Sequence, residues 1–291
     1  MFGQMWFLPA GTTDCWVAFE AMAVTQAEKA RAFLARHHAD RPLLIPNPWD
    51  VGSARILESL GFEALATTSA GFANTLGRRD GQVTRDEAIA HSTAVSAATV
   101  LPVSADLENC FADDPAGVAE TVELAIGAGL AGCSVEDYSG AELYPAGLAR
   151  DRVAAAAEAA HAGDVHLVLT ARAENHIRGN PDLGDTIARL QSYQEAGADV
   201  LYAPGLADLD DIRRVVESVD RPVNVLALPG APPVAELASV GVKRISVGSA
   251  FMYVAFGALV DAGRELLEQG TYGFWSAAIP GAGAATNAFS G

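Results

Sequence analysis

The chain alternates between two kinds of segment eight times, and this alternation constrains its fold more than any other feature. Short β-branched or Leu-rich runs end in polar residues or glycine, and an Ala-rich stretch with a helical pattern follows each run. We predict strands at residues 43–46, 64–68, 102–106, 132–136, 166–171, 200–203, 223–226 and 244–247. We expect helices near residues 52–60, 85–98, 115–127, 149–162, 185–196, 208–217, 232–239 and 250–268.

Strands and helices that alternate in this way build a parallel sheet with the helices packed on it. Eight such units in 291 residues favour a closed (β/α)8 barrel of the TIM type, because an open doubly wound sheet usually has fewer strands. The chain also lacks the G-x-x-x-x-G-K-[ST] run of P-loop proteins. We therefore predict an α/β barrel without a P-loop nucleotide site.

The surface charge limits the partners of this chain. Nineteen Lys and Arg residues stand against 36 Asp and Glu residues, which gives a formal net charge of −17. Nucleic acids and anionic membranes are bound by basic surfaces, so we expect neither as a partner. A small anionic substrate is also repelled unless a metal ion or a buried arginine reverses the field locally.

The cysteines and the apolar runs indicate a cytoplasmic protein. Only three cysteines occur, at positions 15, 110 and 133, and none forms a C-x-x-C pair. This number and spacing predict reduced thiols and argue against a thiolate zinc site. No uninterrupted apolar run reaches the ~18 residues that a membrane-spanning helix needs.

We divide the chain into three parts. Residues 1–22 form an N-terminal extension of unknown role, and residues 23–270 form the barrel. The barrel part begins with Thr25 as the N-cap of an amphipathic helix. Residues 271–291 form a tail with aromatic side chains at Tyr272, Phe274 and Trp275. These rings have no obvious place inside one barrel, so we expect the tail to pack on a partner subunit.

Acidic residues follow two neighbouring strands of the predicted barrel. Asp106 and Glu108 come at the end of the third strand, and Glu136 and Asp137 at the end of the fourth. Function in such barrels is read at the carboxyl ends of the strands, and carboxylates so close together are costly without a cation between them. Oxygen ligands favour Mg²⁺ or Mn²⁺ over zinc. The alternative is that Asp106 and Glu108 cap the following helix.

A basic residue ends the fifth strand of the same barrel. Arg172 follows an apolar run and is expected to face the site, although a structural salt bridge to Glu174 or Glu136 is the alternative. We expect His91 and His161, which fall within helices, on the surface. Cys133 is expected in the core, whereas Cys110 either lies near the metal or packs as a small apolar residue.

Several runs of the chain occur in an order typical of one superfamily. PNPWDVGSARILESLGFEALATTSAGFAN, PVSADLEN, AGCSVED and LTARAEN, followed by AGADVLYAPG, together resemble the isocitrate lyase/phosphoenolpyruvate mutase superfamily over residues 25–270. The resemblance implies a (β/α)8 barrel whose eighth helix is exchanged between the subunits of a homodimer or homotetramer. It also implies Mg²⁺ and a 2-oxo or 2-hydroxy acid whose C–C or P–C bond is broken or formed through an enolate.

The resemblance also implies roles for single residues. Asp106 would be the direct metal ligand, Glu108 and Glu136 would hold metal-bound waters, and Asp80 would assist around the metal. Arg172 would be the cationic partner of the substrate carboxylate and would act in catalysis with Asp106 and Glu136. The remaining substrate-binding positions would be Trp49, Ser69, Ala70, Gly71 and Asn224, with backbone N–H groups near Ala70 and Gly71 holding the carboxylate.

Two segments depart from the superfamily pattern. The usual D-x-D-x-G-[FY]-G run reads DLENCFA at residues 106–112, with Glu108 in place of the second Asp and without either glycine. We expect the loop after Glu108 to take another backbone path for this reason. The loop at residues 138–145 reads YSGAELYP. It lacks the Cys motif of the isocitrate lyases as well as the Lys and Asn-Ser of the mutases.

These departures favour the reaction that needs the fewest additional groups. Cleavage of a 2-hydroxy tricarboxylate needs an acid that this loop does not supply, and phosphoryl transfer needs cations or amide donors. We therefore predict a Mg²⁺-dependent lyase or decarboxylase acting through an enolate on a small 2-oxo or 2-hydroxy dicarboxylate such as oxaloacetate. The alternatives are a phosphonopyruvate hydrolase or phosphoenolpyruvate mutase and a non-catalytic relative that binds a carboxylate.

Overall fold

Eight parallel strands form a nearly closed barrel in the computed structural model, which describes residues 24–290. Neighbouring strands pair in the order β1-β8-β7-β6-β5-β4-β3-β2. The Ala66 N–H donates to the Pro46 carbonyl at 3.1 Å and so connects the two ends of this order. The strands are β1 Leu43–Ile45, β2 Leu65–Ala66, β3 Val103–Asp106, β4 Gly132–Glu136, β5 Val168–Arg172, β6 Val200–Tyr202, β7 Val223–Leu226 and β8 Arg244–Ser246.

Helices connect the strands and confirm the predicted (β/α)8 barrel. They are α1 Gln26–His37, α2 Val51–Ser59, α3 Ser69–Thr75, α4 Arg85–Ala97, α5 Pro115–Gly127, α6 Ala146–His161, α7 Leu183–Glu195, α8 Leu209–Glu217, α9 Val234–Ser239, α10 Ala250–Arg264 and α11 Trp275–Phe289. A π-helical turn at Glu265–Gln269 extends α10. The predicted N-terminal extension at residues 1–22 lies outside the described residues.

The sequence predicts most of these elements, with differences at three places. Strand β2 has only two residues, Leu65–Ala66, where the pattern predicts residues 64–68. Two helices, α3 and α4, lie between β2 and β3, where the pattern predicts one. The tail, for which it predicts no helix, contains α11. No helix among residues 24–290 is long and apolar enough to cross a membrane.

Capping residues and apolar residues explain why the elements form where they do. Thr25 and Glu28 form a capping box that starts α1, and Asp114 caps α5 by accepting from the Gly117 N–H. Helix α1 lies against the barrel, and its Phe33 side chain packs in one cluster with Ile45, Ala64, Val168 and neighbouring strand residues. A Cβ atom at Gly132 would come within 2.8 Å of the Phe33 ring. Glycine at this position therefore allows α1 to approach the barrel closely.

One glycine-rich run needs a separate explanation. Gly127–Gly132 reads GAGLAG, which matches the G-x-G-x-x-G pattern of dinucleotide-binding proteins. In those proteins the run follows a strand and opens a helix. Here it ends α5 and leads into β4, which is the reverse order. The run therefore belongs to the packing of the barrel.

The last barrel helix differs from the others because it is largely uncovered. Met252 is the buried residue of α10. Tyr253, Val254 and Leu259 are 53%, 71% and 69% exposed. Helix α11 also exposes apolar side chains, among them Trp275 and Ile279. This part of the chain therefore presents an apolar surface to its surroundings.

Candidate active site at the carboxyl end of the barrel

Three neighbouring strands bring the predicted catalytic residues together. Asp106 ends β3, Glu136 ends β4 and Arg172 ends β5. Glu136 and Arg172 are register partners in the sheet. Asp114 caps the following helix α5, so the predicted alternative that Asp106 and Glu108 cap this helix is wrong. The carboxylates instead lie at the end of the barrel where function is expected.

Arg172 lies among three carboxylates. Its Nη1 is 3.1 Å from Asp106 Oδ1 and 2.9 Å from Glu136 Oε1, and its Nε is 2.9 Å from Glu174 Oε1. The Arg172 side chain is 12% exposed. The salt bridges to Glu136 and Glu174 that the sequence allows as the structural alternative are present, and a third one to Asp106 joins them. Arg172 is thus held at the place where the predicted ligands converge.

A cavity of about 320 Å³ opens beside these residues. Asp80, Glu108 and Glu136 line it, and Asp106 adjoins it through Glu108 in a smaller neighbouring cavity. Tyr138, Ser139 and other residues of the loop after β4 form part of the wall. Three of the four predicted metal-binding residues therefore share one cavity, and the fourth lies next to it.

Burial and neighbouring charges raise the pKa values of three carboxylates in this group. Burial, followed by the charges of Asp106 and Asp80, raises the pKa of Glu108 to about 7. The pKa of Asp80 is also raised, first by loss of solvation and then by Asp106. Burial raises the pKa of Glu136, and Arg172 opposes the rise. Such shifts are expected where carboxylates are buried close to one another.

The backbone after Asp106 has a strained conformation. Glu108, Cys110 and Phe111 have φ angles of 51°, 58° and 56°, in the left-handed region that costs a non-glycine residue roughly 1–2 kcal/mol. The missing glycines predict a changed path for this loop. Cys110 nevertheless adopts a left-handed conformation that glycine would adopt more easily. The strain adjoins the carboxylate group, as it often does at functional sites.

A buried arginine that sequence reasoning missed stabilises this loop. Arg152 of α6 is 1% exposed. Its Nη2 donates to the Asn109 carbonyl at 2.7 Å, and its Nη1 donates to the carbonyls of Ala112 and Asp113. Nothing near position 152 in the sequence indicates these contacts, because the two segments lie about 40 residues apart. These contacts hold the strained loop that follows Glu108.

The predicted carboxylate-binding turn is partly occupied by the protein itself. The Ser69 N–H donates to Asp106 Oδ2 at 3.1 Å, and the Gly71 N–H donates to the Thr68 hydroxyl at 3.3 Å. The Ala70 N–H has no hydrogen-bond acceptor among residues 24–290. A Cβ at Gly71 would come within 2.4 Å of the Thr68 methyl group. This position therefore needs glycine for close packing, and Ala70 is the free donor of the turn.

The two other predicted pocket residues lie in different surroundings. Trp49 is half-buried beside Gly71, and a Cβ atom added to this glycine would come within 3.2 Å of the Trp49 Cβ. Asn224 is buried inside the barrel and donates to the Ser246 hydroxyl at 3.0 Å. Its Oδ1 is buried without a hydrogen-bond partner among the described residues. Neither residue lines the cavity that contains Glu108 and Glu136.

The cationic residue that lines the cavity was also missed. Arg178 follows β5, and its Nη2 lies 3.4 Å from Glu136 Oε2 and 3.2 Å from Glu174 Oε2. Its guanidinium carbon lies 4.0 Å from the centre of the Tyr138 ring. The spacing of four between Glu174 and Arg178 was the available signal, since such residues are neighbours within a helical turn.

The cysteines and one histidine have structural environments. Cys110 and Cys133 are both fully buried and free, so Cys110 packs as a small apolar residue. Burial raises the pKa of its thiol to about 12. His91 stacks on Phe72 with 3.9 Å between ring centres. His91 is half-buried and its Nε2 is enclosed, so the residue is less exposed than the sequence predicts, and burial lowers its pKa to about 4.

A separate cluster of possible metal ligands lies at the opposite end of the barrel. His161 and His166 place Nε2 at 3.0 Å from the two carboxylate oxygens of Asp199. His166 precedes β5 and Asp199 precedes β6, so the cluster lies at the amino ends of the strands. The His161 side chain is 27% exposed, so it lies near the surface as the sequence predicts, where it pairs with Asp199. Among residues 24–290 this is the one group of three whose ligand atoms all lie within 4.8 Å of one another.

Comparisons with known proteins identify the family. The sequence profile of the phosphoenolpyruvate phosphomutase family matches residues 33–267. The chain belongs to this family. The match covers the barrel from α1 into the π-helical turn, and it confirms the predicted membership in the phosphoenolpyruvate mutase/isocitrate lyase superfamily. The chain is therefore an enzyme of a superfamily of lyases and mutases.

The relatives of this family member carry different activities. A Burkholderia cenocepacia structure described only as a lyase/mutase shares 48% identity with a TM-score of 0.87, covering 89% of this chain and 95% of that chain. An oxaloacetate decarboxylase of Pseudomonas savastanoi is 29% identical, covering 81% of this chain and 83% of its own length. A chloroplastic carboxyvinyl-carboxyphosphonate phosphorylmutase of Arabidopsis thaliana is 30% identical, covering 79% of this chain and 72% of its own length. Both C–C and P–C chemistry are therefore represented at similar identity.

Proposed function

We propose that this family member is a Mg²⁺-dependent lyase or decarboxylase that acts on a small 2-oxo or 2-hydroxy dicarboxylate through an enolate. The observation that carries the proposal is the convergence of Asp106, Glu136 and Arg172 at adjacent strand ends. The group combines oxygen ligands for a hard cation with a guanidinium for a carboxylate.

The residues present fit a divalent cation. Asp80, Asp106, Glu108 and Glu136 offer only oxygen donors, and burial together with the neighbouring acidic charges raises the pKa values of Asp80, Glu108 and Glu136. A bound Mg²⁺ would supply Lewis acidity, which draws electrons from the 2-oxo or 2-hydroxy acid. We propose Asp106 as the direct ligand and Glu108, Glu136 and Asp80 as ligands through water, with Mn²⁺ as an alternative ion.

The other residues would bind and orient the substrate. Arg172 Nη2 has no acceptor among residues 24–290 and can donate to a substrate carboxylate, while Nη1 and Nε hold the guanidinium in place. The free Ala70 N–H offers an additional donor on the same side as Asp106. Glu174 is fully buried and pairs with Arg172 Nε, so it fixes the orientation of the guanidinium. Water entering the cavity would supply the proton for the enolate carbon.

A P–C bond reaction is the second candidate. Phosphoryl chemistry needs cations or amide donors, and residues 138–145 themselves contain no Lys or Arg. Arg178 lies over the Tyr138 ring of this loop and lines the same cavity, so a cation is present there. This contact supports a phosphonopyruvate hydrolase or phosphoenolpyruvate mutase as the alternative.

A coupled pyruvate assay separates these functions. We expect pyruvate from oxaloacetate above the rate of free Mg²⁺ alone, and loss of this activity with EDTA. Isocitrate and methylisocitrate should give no detectable glyoxylate or pyruvate. Phosphate release from phosphonopyruvate without action on oxaloacetate would favour the second candidate. Binding of oxalate without turnover of any of these compounds would indicate a non-catalytic relative.

We also propose that the protein is a homodimer or homotetramer in which the last helices meet a second subunit. The exposed apolar side chains of α10 and α11 support this proposal, because contiguous apolar surfaces usually mark interfaces. Tyr272 and Trp275 of the tail are 64% and 57% exposed. Deleting residues 271–291 should shift sedimentation toward smaller species. A monomeric full-length chain at micromolar concentration would contradict the proposal.

A further inference from the structure

We propose that Arg178 binds the distal carboxylate of the substrate, so that this enzyme selects diacids over acids with a single carboxylate. The inference rests on the proposed function, in which the metal and Arg172 hold the 2-oxo or 2-hydroxy acid end of the substrate. It assigns a specificity-determining role to a residue that contacts the cavity from the loop after β5.

Arg178 and Arg172 are linked by the same two carboxylates. Glu136 contacts Arg172 through Oε1 and Arg178 through Oε2, and Glu174 does the same. Each carboxylate therefore lies between the two guanidinium groups and pairs with one of them through each of its oxygens. A chain of a few carbons with a carboxylate at each end spans a gap of this kind. The arrangement suits a diacid whose ends meet different arginines.

Arg178 has free hydrogen-bonding capacity, which distinguishes it from the structural arginines of this protein. Its Nη2 makes the two contacts to carboxylates, at 3.2 and 3.4 Å, and its Nε and Nη1 have no acceptor among residues 24–290. Arg189 instead uses Nε and Nη1 for Asp185, Asp137 and the Tyr144 carbonyl. Arg152 makes three bonds to carbonyls. Arg178 therefore retains donors for a ligand.

The surroundings of Arg178 hold it in place while leaving it accessible. The Tyr138 ring lies against the guanidinium, a cation–π contact that restrains the side chain without using its N–H groups. The Arg178 side chain is 35% exposed, against 12% for Arg172. Asp80 and Glu108 line the same cavity. A molecule bound near these acidic residues can thus reach Arg178 without a rearrangement of the barrel.

Titration calorimetry with two ligands tests this role separately from the proposed function. Oxalate can make only the contacts of the 2-oxo or 2-hydroxy acid end, with the metal and Arg172. Malate has a 2-hydroxy acid end and also a distal carboxylate. With Mg²⁺ present, we expect Arg178→Gln to weaken malate binding roughly 10-fold or more, as for a lost charged hydrogen bond. Oxalate affinity should stay within about twofold of wild type. Arg178→Lys should recover part of the malate affinity because it keeps the charge.

The control is Arg150→Gln, which removes an exposed arginine of α6 that pairs with Asp151. It should change neither affinity. Equal losses for malate and oxalate in Arg178→Gln, or no loss for either, would overturn the role of Arg178. Failure of the wild-type protein to bind oxalate with Mg²⁺ would instead contradict the proposed function. Circular dichroism checks that each variant is folded.

Discussion

The two ends of the barrel treat buried negative charge in opposite ways. At the amino end, burial pushes the pKa of Asp199 up, but hydrogen bonds from His161, the Leu169 N–H and His166 outweigh this and leave the pKa below its ordinary value. At the carboxyl end, the pKa of Glu108 rises to about 7. The Asp199 carboxylate has three hydrogen-bond partners, whereas the Glu108 carboxylate faces Asp106 and Asp80.

The difference separates stability from function in this fold. Asp199 joins the end of α6 to the starts of β5 and β6 through contacts of 2.9 to 3.0 Å, so its charge strengthens the folded state. The carboxyl-end carboxylates are held together although they repel one another. That arrangement lowers the stability of the folded state unless a bound cation neutralises the negative charges. Substitutions at either end of the barrel test this difference between the two groups of carboxylates.

The largest expected effect is on catalysis. Arg172→Lys keeps the positive charge but loses the guanidinium fork, so kcat/KM for oxaloacetate should fall roughly 100-fold, or about 3 kcal/mol. Arg150→Lys on the surface of α6 is the matched control and should behave as wild type. Steady-state kinetics in the pyruvate assay measures both. An Arg172→Lys enzyme with wild-type kcat/KM would show that Arg172 serves only its salt bridges.

The next effect is on stability at the amino end. Asp199→Asn removes the charge that His161, His166 and Leu169 stabilise, and should lower the free energy of unfolding by about 2 kcal/mol at pH 7. Activity should not change. Because the folded-state pKa of Asp199 is lowered, its stabilising contribution is present above the unfolded pKa and is lost as pH falls through the folded value. The gap between wild type and variant should therefore narrow below about pH 4 in urea titrations.

The smallest effect is expected at the carboxyl end and has the opposite sign. The raised pKa of Glu108 means that ionisation opposes folding, so stability is highest below the unfolded pKa of 4.5 and falls as pH rises through about 7. Glu108→Gln should therefore stabilise the metal-free protein at pH 8 by about 1 kcal/mol. Added Mg²⁺ should remove the advantage. Destabilisation by Glu108→Gln at pH 8 without metal would break the contrast between the two ends.

The fold was predictable because the signal is local and repeated. Strands such as residues 132–136 and helices such as residues 115–127 carry their own apolar pattern and caps, and both appear as predicted. Eight repeated strand–helix units are then compatible with few architectures, among which the closed barrel is favoured. Helix α3 was missed since its seven residues, SAGFANT, are too few to show an apolar period.

The site was predictable only in part. Asp106, Glu136 and Arg172 are the last residues of their strands, so a strand prediction also places them. Arg178 lies beyond a strand end and Arg152 lies inside a helix. Arg152 contacts Asn109, 43 residues away, and Arg178 contacts Glu136, 42 residues away. His161, His166 and Asp199 meet for the same reason. Position along the chain does not encode such pairings, which depend on how helices pack around the barrel.

Titration calorimetry with Mg²⁺ and oxalate tests the central claim, that the carboxyl-end carboxylates hold the functional cation. Wild type and Asp199→Asn should bind alike, and Asp106→Ala should show no binding because it removes the proposed direct ligand. Glu108→Ala, acting through water, should lose about 10- to 100-fold. Wild-type binding by Asp106→Ala, or loss of binding in folded Asp199→Asn, would contradict the account.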